Sequence, residues 1–348
     1  MLKRTLLGLL WLISLNANAV VILQYHHVSE TTPASTSVTP AQFEEQMQYL
    51  AENEFTIIPL TQAVNALKNN TPLADKSIVI TFDDGYDSIG MAAAPILAKY
   101  DFPYTVFVSV EPIEKGYRGM MSWDDIKTLT EKGATIANHS WAHEHLNRKL
   151  DGESKQQWLD RIEANLLATE AEINKHTGQS VKMLAYPYGE YNSDVEDILK
   201  KHAFIGLGQQ SGAAGKYSIL TALPRFPVAG PYADLDSLKV KFTSLNMPVV
   251  KQNITDPQLS QGQWRPELTV ELDTTDIYPH QVMCFVQGQG AKKPTWVSET
   301  EFNIQASANL PAGRSRYNCT APSKTKSGYY WFSQAWLRPN NDGSWPKE

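Results

Sequence analysis

The sequence predicts an α/β chain in two parts: a distorted β/α barrel over residues 20–245, then a small, sandwich-like all-β unit over residues 250–348. Two observations carry this reading. From Val20 to about Thr243, short apolar strands alternate with helical stretches, which implies a parallel sheet with crossover helices. Six or so such repeats in this length imply a closed or nearly closed barrel. After Phe242 the helical periodicity fades. Thr/Val runs at 268–272 and 282–286, many turn formers, and Trp264, Trp296, Trp331, Trp336 and Trp345 take its place.

Taken in order, residues 20–25 read as a buried strand and 40–52 as a helix with Phe43, Met47 and Leu50 at helical spacing. Residues 77–82 form a strand that runs into Asp83-Asp84-Gly85, followed by a helix at 89–100 and a strand at 104–110. A helix at 123–132 leads to a strand at 134–137, which ends at Asn138-His139. A long helix follows at 154–176, then a strand at 181–185 and a helix at 192–202. A strand at 204–207 and a helix at 233–245 complete the series. The stretch 31–39, rich in Thr, Ser and Pro, reads as a surface loop. The polar residues of interest fall just after strands, where the loops at the C-terminal rim of a barrel carry function.

Residues 1–19 open with Lys3 and Arg4, continue through an apolar run, and close on Ala17-Asn18-Ala19. This pattern predicts a secretory signal peptide cut before Val20, and hence a periplasmic or extracellular protein with no membrane span after cleavage. The chain has 348 residues, a formal net charge of −6 and no basic run, which excludes nucleic acid as a partner. Its two cysteines, Cys284 and Cys319, predict a disulfide in an exported chain, two buried thiols being the alternative. Zinc-ribbon spacing is absent.

Two motifs carry chemistry. In Ile80-Thr81-Phe82-Asp83-Asp84-Gly85-Tyr86, adjacent carboxylates close an apolar strand before a glycine that permits a tight turn. One carboxylate can bind a metal while the other takes a proton from water. A turn or helix-cap pair is the plainer reading of the same residues. In Asn138-His139-Ser140-Trp141-Ala142-His143, two histidines four apart share a face if the segment turns helically. With Asp84 they make two imidazoles and one carboxylate, leaving positions open on a divalent ion. His145 is a rival ligand at poorer spacing.

In these motifs the chain resembles the NodB-homology polysaccharide deacetylases, carbohydrate esterase family 4. Thr81–Gly85 matches the family's Thr-Phe-Asp-Asp-Gly, His139–His143 its His-Ser/Thr-x-x-His, and Ala185-Tyr186-Pro187-Tyr188-Gly189 the end of its Arg-x-Pro-Tyr-Gly, without the arginine. The resemblance covers residues 20–243. No histidine matches the family's late Leu-x-x-x-His. Leu23-Gln24-Tyr25-His26-His27-Val28 instead resembles the circularly permuted poly-β-1,6-N-acetylglucosamine deacetylases, whose histidine lies on the first strand. The resemblance implies a barrel of the NodB type and a divalent metal on Asp84, His139 and His143, zinc first, with nickel, cobalt or iron as alternatives. It implies Asp83 as general base, His26 as the acid that protonates the leaving amine (His27 as alternate), and the backbone N–H of Tyr188 as oxyanion donor. Arg225, in Leu223-Pro224-Arg225-Phe226-Pro227, is the expected replacement for the missing arginine, with a surface salt bridge as the other reading.

The implied substrate is an N-acetylated amino-sugar polymer, first of all poly-β-1,6-N-acetylglucosamine. The alternatives are a deacetylase of chitin oligomers or peptidoglycan, and a non-catalytic exported glycan-binding protein. Trp141, Tyr86 and Tyr191 are candidate groove residues, along with Tyr188 and Trp123. The C-terminal unit is left to bind glycan or protein.

Overall fold

The computed structural model describes residues 19–347. The expected leader therefore lies outside the described residues, apart from Ala19 at the start of the first strand. Strands β1 (Ala19–Tyr25), β2 (Ser77–Phe82), β3 (Tyr104–Val108), β4 (Thr135–Asn138), β5 (Met183–Ala185) and β6 (Ile205–Leu207) pair in parallel in that order. Every residue of β2 is buried and so are all of β1 beyond Ala19, as expected of parallel strands covered on both faces.

The gap between β6 and β1 is spanned by irregular chain. Leu207 bridges Leu223, and the two-residue strand Phe226–Pro227 then pairs with β1. The barrel is thus distorted, as the repeats imply: a curled sheet whose edges meet through residues 223–227.

Alternation along the strands divides the core in two. Val21, Leu23 and Tyr25 of β1 pack with Phe43, Met47 and Leu50 of the helix Pro40–Glu52. Val20 and Ile22 join Val79, Phe107, Ala137, Ala185 and Leu207, a set drawn from six strands. The helix Leu60–Asn69, which the sequence reading did not include, adds Leu60, Ala63 and Val64 to that second set.

Several helix ends carry their own signals. Pro40–Glu52 starts at a Thr39/Gln42 capping box, and Lys155–Thr177 at a Ser154/Gln157 box, ending on Gly178 at φ 71°. The expected helix at 89–100 is replaced by a wide turn, Ile89–Ala93, and a short helix, Ala94–Ala98. Pro95 has no N–H to donate there, so a regular ladder cannot run through.

Beyond Thr243 the chain forms two sheets over one core. The five-stranded sheet runs Leu245–Asn246, Tyr329–Arg338, Gly313–Pro322, Met283–Val286, Gly290–Lys292, and the four-stranded one Val249–Gln252, Glu267–Leu272, Glu301–Gln305, Thr295–Trp296. Trp336, Tyr317, Phe302 and the Cys284–Cys319 disulfide lie in the core between them. The two cysteines face each other on neighbouring strands. Trp331 instead packs edge-on against Phe226 of the barrel, ring centroids 5.2 Å apart.

Candidate active site

The inner-face alternation Val79, Thr81 continues past the end of β2 to Asp83. Asp84 then adopts φ 75° and Gly85 φ 85°. This left-handed pair turns the chain so sharply that neighbouring carboxylates reach one site, which an extended strand forbids. A side chain at Gly85 would also meet Val108 Cγ1 at 3.1 Å, so glycine is required there twice over.

Asp83 is fully buried and gripped by Arg225, which donates from Nη1 to Oδ1 at 2.7 Å and from Nη2 to Oδ2 at 2.8 Å. Gln24 donates to Oδ2 at 2.6 Å. Burial, the largest single influence, pushes the Asp83 carboxyl upward, but the charge and hydrogen bonds of Arg225 with the charges of His139 and His26 together outweigh it, and the group stays below the usual carboxylate range. Arg225 is itself fully buried and anchored by donating to Gly208 O at 2.9 Å. The surface salt bridge considered for it is not what forms: its position between Leu223 and Phe226 places it in the segment that closes the barrel.

Asp84 Oδ1 lies 3.1 Å from His139 Nε2 and 3.2 Å from His143 Nε2. That oxygen is buried and has no hydrogen-bond partner of acceptable geometry. His139 Nδ1 is 2.7 Å from Ala185 O, which fixes a proton on Nδ1 and turns Nε2 toward Asp84, and although burial disfavours charge on the ring, Asp84 and Asp83 together raise its pKa. Burial first, and the charge of His139 second, push His143 down to about 4, so it is neutral at pH 7. A buried, unsatisfied carboxylate oxygen facing two imidazole nitrogens fits a divalent ion. The segment between the histidines is not helical: Ser140 and His143 take φ 67° and 55°, and Ser140 N donates to Asn138 Oδ1. The four-residue spacing works through this folded loop.

His26 continues the inner-face alternation of β1 after Ile22 and Gln24, and its charge acts on Asp83, Asp84 and His143. His27 turns the other way and stacks on Tyr86, centroids 3.6 Å apart. Tyr86 in turn bonds Asp84, and burial raises its phenol. Tyr188, at φ 59°, makes an edge-type contact with His143, ring centroids 4.5 Å apart, and stacks on His145, centroids 4.0 Å apart. His145 points away from the ligand cluster, with Nδ1 2.8 Å from Glu190 Oε2, and Glu190 is also bound by Arg148. The rival-ligand role for His145 is thereby removed.

Trp141 sits half-buried between the two ligand histidines, its main chain held by Asn165 and Glu111. Two expected groove aromatics are elsewhere. Tyr191 is buried against Tyr186 in a core cluster. Trp123 stacks on His176, centroids 4.3 Å apart, and donates to Glu114. Gln24 was missed, although one polar residue inside the buried run Val-Val-Ile-Leu-Gln-Tyr is a readable signal.

Residues 70–205 match the family model described as polysaccharide deacetylase. They include Asp83, Asp84, His139, His143 and Tyr188, and leave out His26 and Arg225. The YxkH protein of Bacillus subtilis (strain 168) is 26% identical over 209 residues, spanning 60% of this chain and 71% of that one. The poly-beta-1,6-N-acetyl-D-glucosamine N-deacetylase of Escherichia coli (strain K12) is 23% identical over 256 residues, 61% of this chain but only 37% of the relative's length. Among solved structures, the Streptococcus pyogenes deacetylase PplD in complex with acetate has the same fold, with TM-score 0.58 and 23% identity over 64% of this chain and 98% of that one.

Proposed function

With residues 70–205 forming a polysaccharide deacetylase domain, we propose that this chain removes N-acetyl groups from an N-acetylglucosamine polymer outside the cytoplasm, releasing acetate. The observation that carries the proposal is the pair of adjacent carboxylates, Asp83 fully buried and gripped by Arg225, and Asp84 facing His139 and His143 through a buried oxygen. Pure recognition of a sugar needs no buried, ionised carboxylate beside a metal site. A glycosidase needs its two carboxyl groups several ångströms apart across a sugar ring, not on neighbouring residues.

Asp84, His139 and His143 hold the divalent ion, zinc first and nickel, cobalt or iron as alternatives. When bound, the ion polarises the acetamide carbonyl and acidifies a water. Asp83 receives that water's proton. An ionised carboxylate offers about four acceptor positions. Arg225 and Gln24 fill both on Oδ2 and one on Oδ1, so the remaining Oδ1 position takes the proton. Arg225 holds the group ionised and aimed at the start of the reaction. The Tyr188 N–H receives the developing oxyanion, and His26 gives its proton to the departing amine.

Poly-β-1,6-N-acetylglucosamine is the leading substrate. The name of the Escherichia coli relative supports it, as does the inward-facing histidine that follows β1. Residues 20–245 are then the catalytic part and 250–348 an accessory part, with a signal peptide at 1–19.

Acetate release by the purified protein tests this on acetylated β-1,6-glucosamine oligomers, chitin oligomers and peptidoglycan, with and without chelator and added zinc. Release that chelator stops and zinc restores is expected, fastest on the β-1,6 series. Faster release from chitin or peptidoglycan would replace the substrate. Metal binding without release from any of the three would leave the glycan-binding reading.

A further inference from the structure

Building on the deacetylase reading, we propose that the substrate groove runs from the Tyr188 side of the catalytic centre onto the outer face of the C-terminal five-stranded sheet. This makes a trough for several sugar units of one N-acetylated glycan chain. Its first stretch is lined by Tyr188, Glu190, Tyr232, Arg314 and Arg316 and has a cavity volume of about 510 Å³. The Tyr188 and His143 ring centroids are 4.5 Å apart, so the trough begins one ring away from a candidate metal ligand.

A second stretch shares Pro227, Tyr232 and Arg316 with the first and continues past Met283, Phe285 and Trp331. The strand Met283–Val286 alternates cleanly: Cys284 and Val286 enter the core, while Met283 and Phe285 face outward. A strand with one wet face normally turns polar residues to that face. Here the outward positions are apolar, and Phe285 is 48% and Tyr232 51% exposed. Pyranose rings present flat C–H faces edged with hydroxyls, so aromatic platforms beside arginine donors are complementary to them. No carboxylate lines this second stretch. The two walls are tied together, because Arg314 donates to Tyr188 O at 3.1 Å and Arg316 to Gln209 O at 3.4 Å. Continuity with the catalytic centre is what identifies the occupant as the glycan being deacetylated.

The test is chain-length dependence. β-1,6-linked N-acetylglucosamine oligomers of increasing length, with chitin oligomers in parallel, are assayed on the metal-loaded full-length protein and on Phe285→Ala and Tyr232→Ala. The wild type is expected to show KM falling with length. The variants should raise KM for the long oligomers about tenfold, the loss of one buried aromatic face, with kcat and short-oligomer turnover unchanged. Phe285→Tyr should restore the wild-type pattern. Identical length profiles in wild type and variants would overturn the trough. Calorimetric binding of the same oligomers to metal-loaded Asp83→Asn, with and without Phe285→Ala, decides the case even if no turnover is seen. Length-dependent affinity lost with Phe285 supports the trough, and affinity independent of Phe285 rejects it. Failure of the deacetylase reading would appear separately, as no acetate from any length.

Discussion

Among the described residues, two sets of three histidine and carboxylate side chains lie within ligand distance of one another, and they differ in kind. At the barrel rim, Asp84 meets His139 and His143; on the flank of the helix Lys155–Thr177, Glu114 meets Glu172 and His176. On the flank each group has a partner. Glu172 is paired with Lys175 and His176, Glu114 accepts from the Trp123 indole, and His176 lies flat on the Trp123 ring. At the rim, Asp84 Oδ1 is buried without a hydrogen bond, and Asp83 beside it is fully buried and matched only by long-range partners. Ligand types at ligand distance are common on protein surfaces. What separates the rim is polar demand that burial has created and the chain alone has not met.

That contrast can be broken by mutation. The largest expected effect is on the base: Asp83→Asn should lower acetate release about a thousandfold while retaining bound metal. Full turnover in this variant would remove the base assignment. Next comes Arg225→Ala, which leaves a buried carboxylate unpaired and should cost about 3–5 kcal/mol of unfolding free energy. In the same denaturant titration Glu114→Gln on the flank should stay within about 0.5 kcal/mol, and equal losses would erase the distinction between the regions. The third comparison is the metal itself. His143→Ala should abolish stoichiometric zinc by elemental analysis, whereas His176→Ala should leave it unchanged. The reverse result would move the metal to the flank.

The residues differ in how openly the sequence announced them. Asp83, Asp84, His139 and His143 lie in short motifs at the ends of apolar strands, and the turn that unites the two carboxylates is foretold by Gly85. His26 was preferred to His27 for its place directly after Tyr25 in the motif, strand alternation saying only that one of the two can point inward; the structure extends the inner face from Ile22 and Gln24 to His26. Arg225 was a matter of even alternatives because its partner lies 142 residues earlier in the chain. Tyr191 and Trp123 were misread as groove residues for a related reason. An aromatic side chain looks the same in sequence whether it lines a cleft, stacks on a histidine or fills a core.

The sequence by itself determined the alternation of strands and helices, the inward and outward faces of each strand, and the local turns that gather the metal ligands. These depend on periodicity and on backbone preferences acting within a few residues. Only the tertiary structure decided that the 223–227 segment closes the barrel and drives Arg225 onto Asp83 beside Gln24. It also decided that Met283 and Phe285 face the same trough as Tyr232 and Arg316. Such pairings depend on which distant surfaces are brought together as the core excludes water, and no local pattern records that choice.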